Sequence, residues 1–223
     1  MELPRRVLIG TPSIDGKLDA NYVNALTETM FMGLEKDIIV RPVYICYDSL
    51  IQRARNEIFK IAFENTFDDL IFIDADQEWI PSDFFKLLSY PVDIVAGTVI
   101  KKGNEESYNV KLLDPKRKMN ELGLFEVEGV GTGFMRLTKR AIQKLWKNSE
   151  MYKESRDKEG RMVFEITIRN GELYSEDINM CQKWIDLGEK VYIDPTITCA
   201  HIGIKKFVGN FMTYFNNVTS QTK

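Results

Sequence analysis

Short apolar runs alternate with longer amphipathic stretches along the first hundred residues. Val7-Leu8-Ile9-Gly10 is an apolar run that ends in Thr-Pro-Ser. Ile38-Ile39-Val40 with Val43-Tyr44-Ile45 is a second stretch, rich in β-branched residues, and both read as strands. Between them Tyr22, Leu26, Met30 and Leu34 recur at helical spacing. From Asp48, an expected N-cap, the segment Ser49 to Phe63 places Leu50, Ala54, Ile58 and Ala62 along one helical face. Leu70-Ile71-Phe72-Ile73 is wholly apolar and only four residues long, which predicts a strand covered on both sides. Pro81 and Ser82 open another helix, and Val92 to Ile100 reads as a further strand. Strands alternating with helices in this way predict a mostly parallel α/β sheet.

The second half has a different texture. Leu124 to Leu137 predicts a strand pair interrupted by Gly129, Gly131 and Gly133, followed by a helix over Lys139 to Trp146. Lys153 to Arg161 is charged, without an apolar face, and reads as an exposed loop. Ile178, Met180, Cys181, Trp184, Ile185 and Leu187 build an amphipathic helix stopped by Gly188. Val191-Tyr192-Ile193 is the last clear strand, and beyond His201 the chain is basic and aromatic. With no repeat and no low-complexity segment, residues 1–223 are expected to form a single domain, with 205–223 as a tail.

Composition narrows the picture. In 223 residues, 44% hydrophobic, 28% charged and 11% aromatic content suffice for a substantial core and exclude disorder and small disulfide scaffolds. Thirty Lys and Arg against 33 Asp and Glu give a net charge of −3, without the basic bias of a non-specific nucleic-acid binder. Cys46, Cys181 and Cys199 are odd in number and scattered, pointing to neither a disulfide framework nor a structural zinc, and hence to a reducing cytoplasm. The apolar run at the start is too short for a signal-peptide core or a membrane span.

Four features carry candidate chemistry. Asp74-Ala75-Asp76 follows directly on a buried strand, where α/β sheets bind ligands, and alternate carboxylates of an extended segment can share Mn²⁺ or Mg²⁺. Asp-x-Asp arises roughly once by chance in a chain of this size, so a solvated strand end is an equal reading of the motif alone. His201, the only histidine, precedes Gly203 and the Lys205-Lys206 pair, which would suit a diphosphate; a lone histidine is more often simply packed. Ser175-Glu176-Asp177 opens a helix, either as a charged N-terminal turn or as a general base for an acceptor hydroxyl. Gly129-Val130-Gly131-Thr132-Gly133 is a turn or bulge, or a place where a polar ligand approaches the backbone; it lacks the dinucleotide GxGxxG spacing.

Taken in order, a strand ending in IDADQEW, then GVGTGFM, SEDINMCQKW and VYIDPTITCAHIG resemble the small nucleotide-sugar glycosyltransferases of the GT-A fold. The resemblance spans the first strand to about Gly209, includes the RARN stretch at Arg53 to Asn56, and is closest to single-domain enzymes encoded by bacteriophages and large viruses. It implies that Asp74 and Asp76 hold a metal on the donor diphosphate and that His201 completes the metal site. Lys205 or Lys206 would contact phosphate, Thr11 and Pro12 would cradle the nucleoside, and Arg53 would meet base or phosphate. Asp177, with Glu176 beside it, falls at the catalytic base of inverting members, and Tyr174 and Trp79 would line the sugar or acceptor site. The implied donor is a UDP-sugar. The favoured acceptor is 5-hydroxymethylpyrimidine in phage DNA, helped by the basic stretches Lys101-Lys102, Lys111 to Lys118 and Lys205-Lys206. A glycan or protein acceptor of an envelope or virion is the enzymatic alternative, and a nucleotide-sugar-binding module without turnover the non-enzymatic one. A nucleotidyltransferase is disfavoured by the lack of an N-terminal glycine-rich phosphate loop.

Overall fold

A computed structural model describes residues 3–114, 118–153, 159–203 and 206–220. In chain order the elements of the first half are β1 (Arg5–Ser13), α1 (Ala20–Glu35), β2 (Ile38–Cys46), α2 (Ile51–Glu64), β3 (Asp69–Ile73), β4 (Gln77–Glu78), α3 (Pro81–Ser89) and β5 (Ile94–Val99). Then come β6 (Val110–Leu112), β7 (Phe125–Val130), β8 (Phe134–Thr138), α4 (Lys139–Asn148), β9 (Met151–Lys153) and β10 (Glu159–Arg161). The chain continues through β11 (Thr167–Arg169), β12 (Glu172–Tyr174), α5 (Glu176–Asp186), β13 (Val191–Ile202), β14 (Lys206–Phe207) and α6 (Phe211–Ser220).

The architecture is α/β: one large sheet in the order β2-β1-β3-β8-β5-β13-β7-β6, flanked by helices. β8 and β7 run against the other six strands, so the sheet is mostly parallel, as the alternating pattern predicts. Strand alternation divides the core in two. Leu8, Leu70 and Phe72 face a cluster with α2, α4, α5 and α6, while Val7, Ile9, Ile71 and Ile73 face one built with α1 and α3. The run Leu70 to Ile73 is therefore buried on both sides, as its lack of polar positions predicts.

Several expectations are corrected. α1 buries Tyr22, Ala25, Leu26, Thr29 and Gly33, leaving Met30 and Leu34 exposed, because its inward face follows the 3–4 alternation rather than a strict spacing of four. Asp48 lies before the N-cap position Leu50 of α2; its carboxylate accepts from Leu50 N at 2.9 Å, an Asx turn rather than a cap. β7 and β8 are consecutive but not partners: β8 inserts between β3 and β5, and β7 pairs with β13 and β6. The charged stretch from Lys153 is entered and left by a β9–β10 ladder, its centre lying outside the described residues. β13 continues past Ile193 to Ile202 through a register shift. The aromatic tail packs: Phe211 is buried, and Tyr108 meets Phe211 and Tyr214 with ring centroids 5.2 Å apart in each case. Gly188, at φ +81°, ends the α5 segment in the left-handed conformation expected of it. Among the described residues, no helix is long and apolar enough to cross a membrane, and the three cysteines are free.

Candidate functional site

Asp74 leaves β3, Lys101 follows β5 and His201 stands near the end of β13, so three strands of common direction deliver them to their carboxyl ends. The peptide does not stay extended after Ile73. Gln77 N donates to Asp74 O at 3.2 Å, closing a turn, and Gln77 then pairs with His201 through the β4–β13 ladder. The turn sends the two carboxylates of Asp74-Ala75-Asp76 to different partners, against the expectation that they point together.

Asp76 faces His201 Nε2 at 3.3 Å and is bonded by the Lys102 ammonium. His201 Nδ1 lies 2.9 Å from the carbonyl of Ile100, which orients the ring and directs Nε2 toward Asp76. Burial works to raise the Asp76 pKa, but the hydrogen bonds from His201 and Lys102 outweigh it and hold the carboxyl at about 2. Asp74 is instead paired with Arg55, Nη2 to Oδ1 at 3.1 Å. Arg55 is 5% exposed and also binds Glu176. Burial opposes its charge, and Asp74, Glu176 and Asp177 together more than offset that. Burial pushes the Glu176 carboxyl above its ordinary value, against the pull of Arg55.

Asp177 sits in the first turn of α5, where the helix dipole favours a carboxylate. Its Oδ2 accepts from Asn109 Nδ2 at 2.8 Å, and its Oδ1 from Ser175 Oγ and from Ile178 N at 2.7 Å. The glycine-rich segment explains how these groups come so close. A Cβ on Gly131 would meet Asn109 Nδ2 at 2.9 Å, and one on Gly133 would meet Gln77 Nε2 at 2.3 Å and Asp74 Oδ2 at 3.1 Å. The room left by the missing side chains is taken by site residues of this chain.

Arg55, Asp74, Gln77, Thr132, Glu176, Asp177 and His201 line a cavity of about 410 Å³, within the range of small-molecule sites. Gln77 Oε1, Thr132 Oγ1 and Arg55 Nε are buried there without a hydrogen-bond partner. Orphaned polar atoms of this kind are costly unless a ligand or water meets them. No group of three or more His, Cys, Asp or Glu side chains able to hold a metal occurs among the described residues. What the chain offers a hard divalent cation is the Asp76–His201 pair, an oxygen and an imidazole nitrogen with its second nitrogen already anchored. Such a pair fits a cation whose remaining positions are filled by diphosphate oxygens and water.

The other expected contacts lie elsewhere. Thr11 and Pro12 are buried on β1, with Thr11 Oγ1 2.6 Å from Tyr22 OH. Arg53 pairs with Asp48 at 2.6 Å; it is Arg55, two residues on, that enters the site. Arg55 is legible as a charge on the buried face that also carries Ala54, Ile58, Phe59 and Ala62. Asn109 carried no local signal, while Gln77, Thr132 and Lys102 lay within the stretches IDADQEW, Gly129 to Gly133 and Lys101-Lys102 without being assigned to the site. Lys206 pairs with Glu78, and Lys205 lies outside the described residues. Trp79 is core: 4% exposed, it donates to Thr29 Oγ1 at 2.9 Å and packs edge-on against Tyr22. The Tyr174 hydroxyl accepts from Lys111 at 2.8 Å, outside the acid-lined cavity.

No family model matches this chain, and no curated protein matches it. Among solved structures it is similar to A197 from the virus STIV, with 19% identity, a TM-score of 0.55, and coverage of 89% of this chain and 86% of that one. At that identity the likeness shows a shared fold. Weaker likenesses, with TM-scores of 0.37 and 0.41, are to a glycosyltransferase involved in glycosylation of the major capsid of PBCV-1 and to the inositol-1-phosphate CTP transferase from T. maritima. The first has 12% identity and covers 65% of this chain and 66% of that one; the second has 13% identity and covers 90% of each.

Proposed function

We propose that this protein is a GT-A-like glycosyltransferase that moves a sugar from a nucleotide-sugar donor to an acceptor hydroxyl, with Asp177 as general base and Mn²⁺ or Mg²⁺ held by Asp76 and His201. The observation that carries the reading is convergence: Arg55, Asp74, Thr132, Asp177 and His201, from five separate segments, meet around one cavity with unsatisfied buried polar atoms. The ordered motifs that resemble this enzyme class supply several of those residues.

In this reading the Arg55 cation stands beside the place of the donor diphosphate, and Asp76 with His201 would hold the divalent cation that orients it. A bound divalent cation would supply Lewis-acid stabilisation of the charge on the departing phosphate. Asp177 takes the proton of the acceptor hydroxyl as it attacks, and its bonds to Asn109 and Ser175 hold the carboxylate in place. Glu176 keeps Arg55 in register. The alternative of a binding module without turnover draws on one observation: three donors already satisfy Asp177.

Of the lysines that would support a DNA acceptor, Lys102, Lys111 and Lys206 form solvent-exposed ion pairs with Asp76, Glu128 and Glu78. Lys101 and Lys118 are exposed, and Lys116, Arg117 and Lys205 lie outside the described residues, so the phosphate contacts on which DNA affinity rests are a matter for the assay. The test is release of nucleoside diphosphate from UDP-glucose, UDP-galactose, UDP-GlcNAc and GDP-mannose with Mn²⁺, with and without hydroxymethylcytosine DNA. Release from one donor is the expected result, and stimulation by the DNA would restore it as acceptor. Asp177→Asn should lower the rate by about 10²–10⁴ with the circular dichroism spectrum unchanged. No release from any donor would leave the binding module.

A further inference from the structure

A second cavity, of about 490 Å³, opens beside the first and shares Lys101, Asn109 and Ser175 with it. Its lining is of another kind: Tyr108, Val110, Ile166, Leu173, Tyr174 and Ile178 with two lysines and one glutamate. The residues between the two are Asn109 and Ser175, both bonded to Asp177, so a molecule in the second cavity has its near end at the two donors that separate it from Asp177.

We infer that this second cavity binds an amphiphilic acceptor: a ring or other apolar body carrying an anionic substituent, with its reactive hydroxyl at the Asn109 and Ser175 end. The apolar requirement comes from the β11–β12 hairpin. Asn170-Gly171, both at positive φ, turn it, and Arg169 fastens it to α5 through Asn179 at 2.9 Å and Asp186 at 2.7 Å. That anchoring holds Ile166 and Leu173 at the cavity while leaving them 53% and 75% exposed. Large apolar side chains fixed in water beside a cavity gain free energy when a ligand covers them.

The anionic requirement comes from the two lysines. Lys111 is bonded to Tyr174 OH and shared between Glu128 at 3.4 Å and Glu172 at 3.7 Å, so it offers no free positive charge; the extra carboxylate, Glu172, is 72% exposed and solvated at the outer edge. Lys101 lines both cavities, and its ammonium has no acidic partner among the described residues. A cation without a carboxylate of its own, set where the cavity meets Asn109 and Ser175, favours a ligand that brings a negative charge to that end. α6 braces the far wall, because Phe211 and Tyr214 pack on Tyr108.

Naming this ligand the acceptor rests on the glycosyltransferase reading; its binding does not, and the test needs no donor. Two fluorescent probes share an apolar body and differ in charge: the anion 1-anilinonaphthalene-8-sulfonate and the uncharged N-phenyl-1-naphthylamine. Both are titrated into the full chain. Leu173→Ser should weaken both at least fivefold, and its exposure makes the variant fold normally. Lys101→Ala should weaken the anion about tenfold and leave the uncharged probe unchanged. Equal effects of Lys101→Ala on the two probes, or affinity indifferent to Leu173→Ser, would overturn the inference. So would loss of probe binding in Phe31→Ser, which alters the exposed apolar side of α1 instead. If no donor is turned over while the probes behave as expected, the cavity stands and the transferase reading falls.

Discussion

Arg55 is the residue on which the site's electrostatics turn. A buried guanidinium held between Asp74 and Glu176 is stable only because both carboxylates are present, and they are tolerated only because it is. Arg55→Met should destabilise the protein by about 3–5 kcal/mol in urea denaturation, since buried carboxylates lose their counter-charge. A midpoint like that of the parent would show that Asp74 and Glu176 do not depend on it. Lys102 forms a more exposed pair with Asp76, the carboxylate proposed to hold a divalent cation, and would compete with that cation for it. Lys102→Met should therefore tighten binding of Mn²⁺ alone in calorimetric titration by about tenfold. Weaker binding would mean that Lys102 organises the site rather than competes for it.

Elements position these residues by how closely they can approach one another. β1 lies against α2 at Gly10, where a Cβ would stand 2.2 Å from Cγ2 of Ile58, a stiff β-branched side chain with no exposure. Gly10→Ala should cost about 1–3 kcal/mol by overpacking and should move α2, hence Arg55, away from Asp74. Thermal unfolding reads the first effect and binding of nucleoside diphosphate the second; full stability and full binding together would disprove the close approach. The β11–β12 hairpin makes the complementary point. Its Asn-Gly turn was present in the sequence as the strongest short hairpin signal, yet three-residue strands around it lack the length to show alternation.

The whole chain meets at the carboxyl ends of β3, β5 and β13, and its acid sensitivity follows from what is assembled there. Asp76 has a folded-state pKa of about 2 against an ordinary value of 3.8. Its contribution to stability is therefore fully present above 3.8 and is lost as the pH falls through 2. With 42% of its side chain exposed, that contribution is about 1 kcal/mol or less. Asp76→Asn should flatten the stability curve between pH 4 and 2 in acid-jump denaturation while leaving its neutral plateau almost unchanged. An acid limb as steep as the parent's would show that the pairing with His201 and Lys102 has no energetic weight.

Periodicity by itself determined the strand–helix alternation, the doubly covered β3, the stop at Gly188 and the placing of Asp74 and Asp177 at element ends, because each depends on neighbours within a turn or two along the chain. The tertiary structure alone decided which carboxylate serves which cation. A single turn after Ile73 separates Asp74 from Asp76, and α2, 19 residues earlier in sequence, brings Arg55 to the first. Partners such as Asn109 and Asp177, 68 residues apart, meet because β6 and α5 both lie against β7. No local pattern encodes such a meeting, since the free energy that selects it is the burial of both faces of the sheet at once.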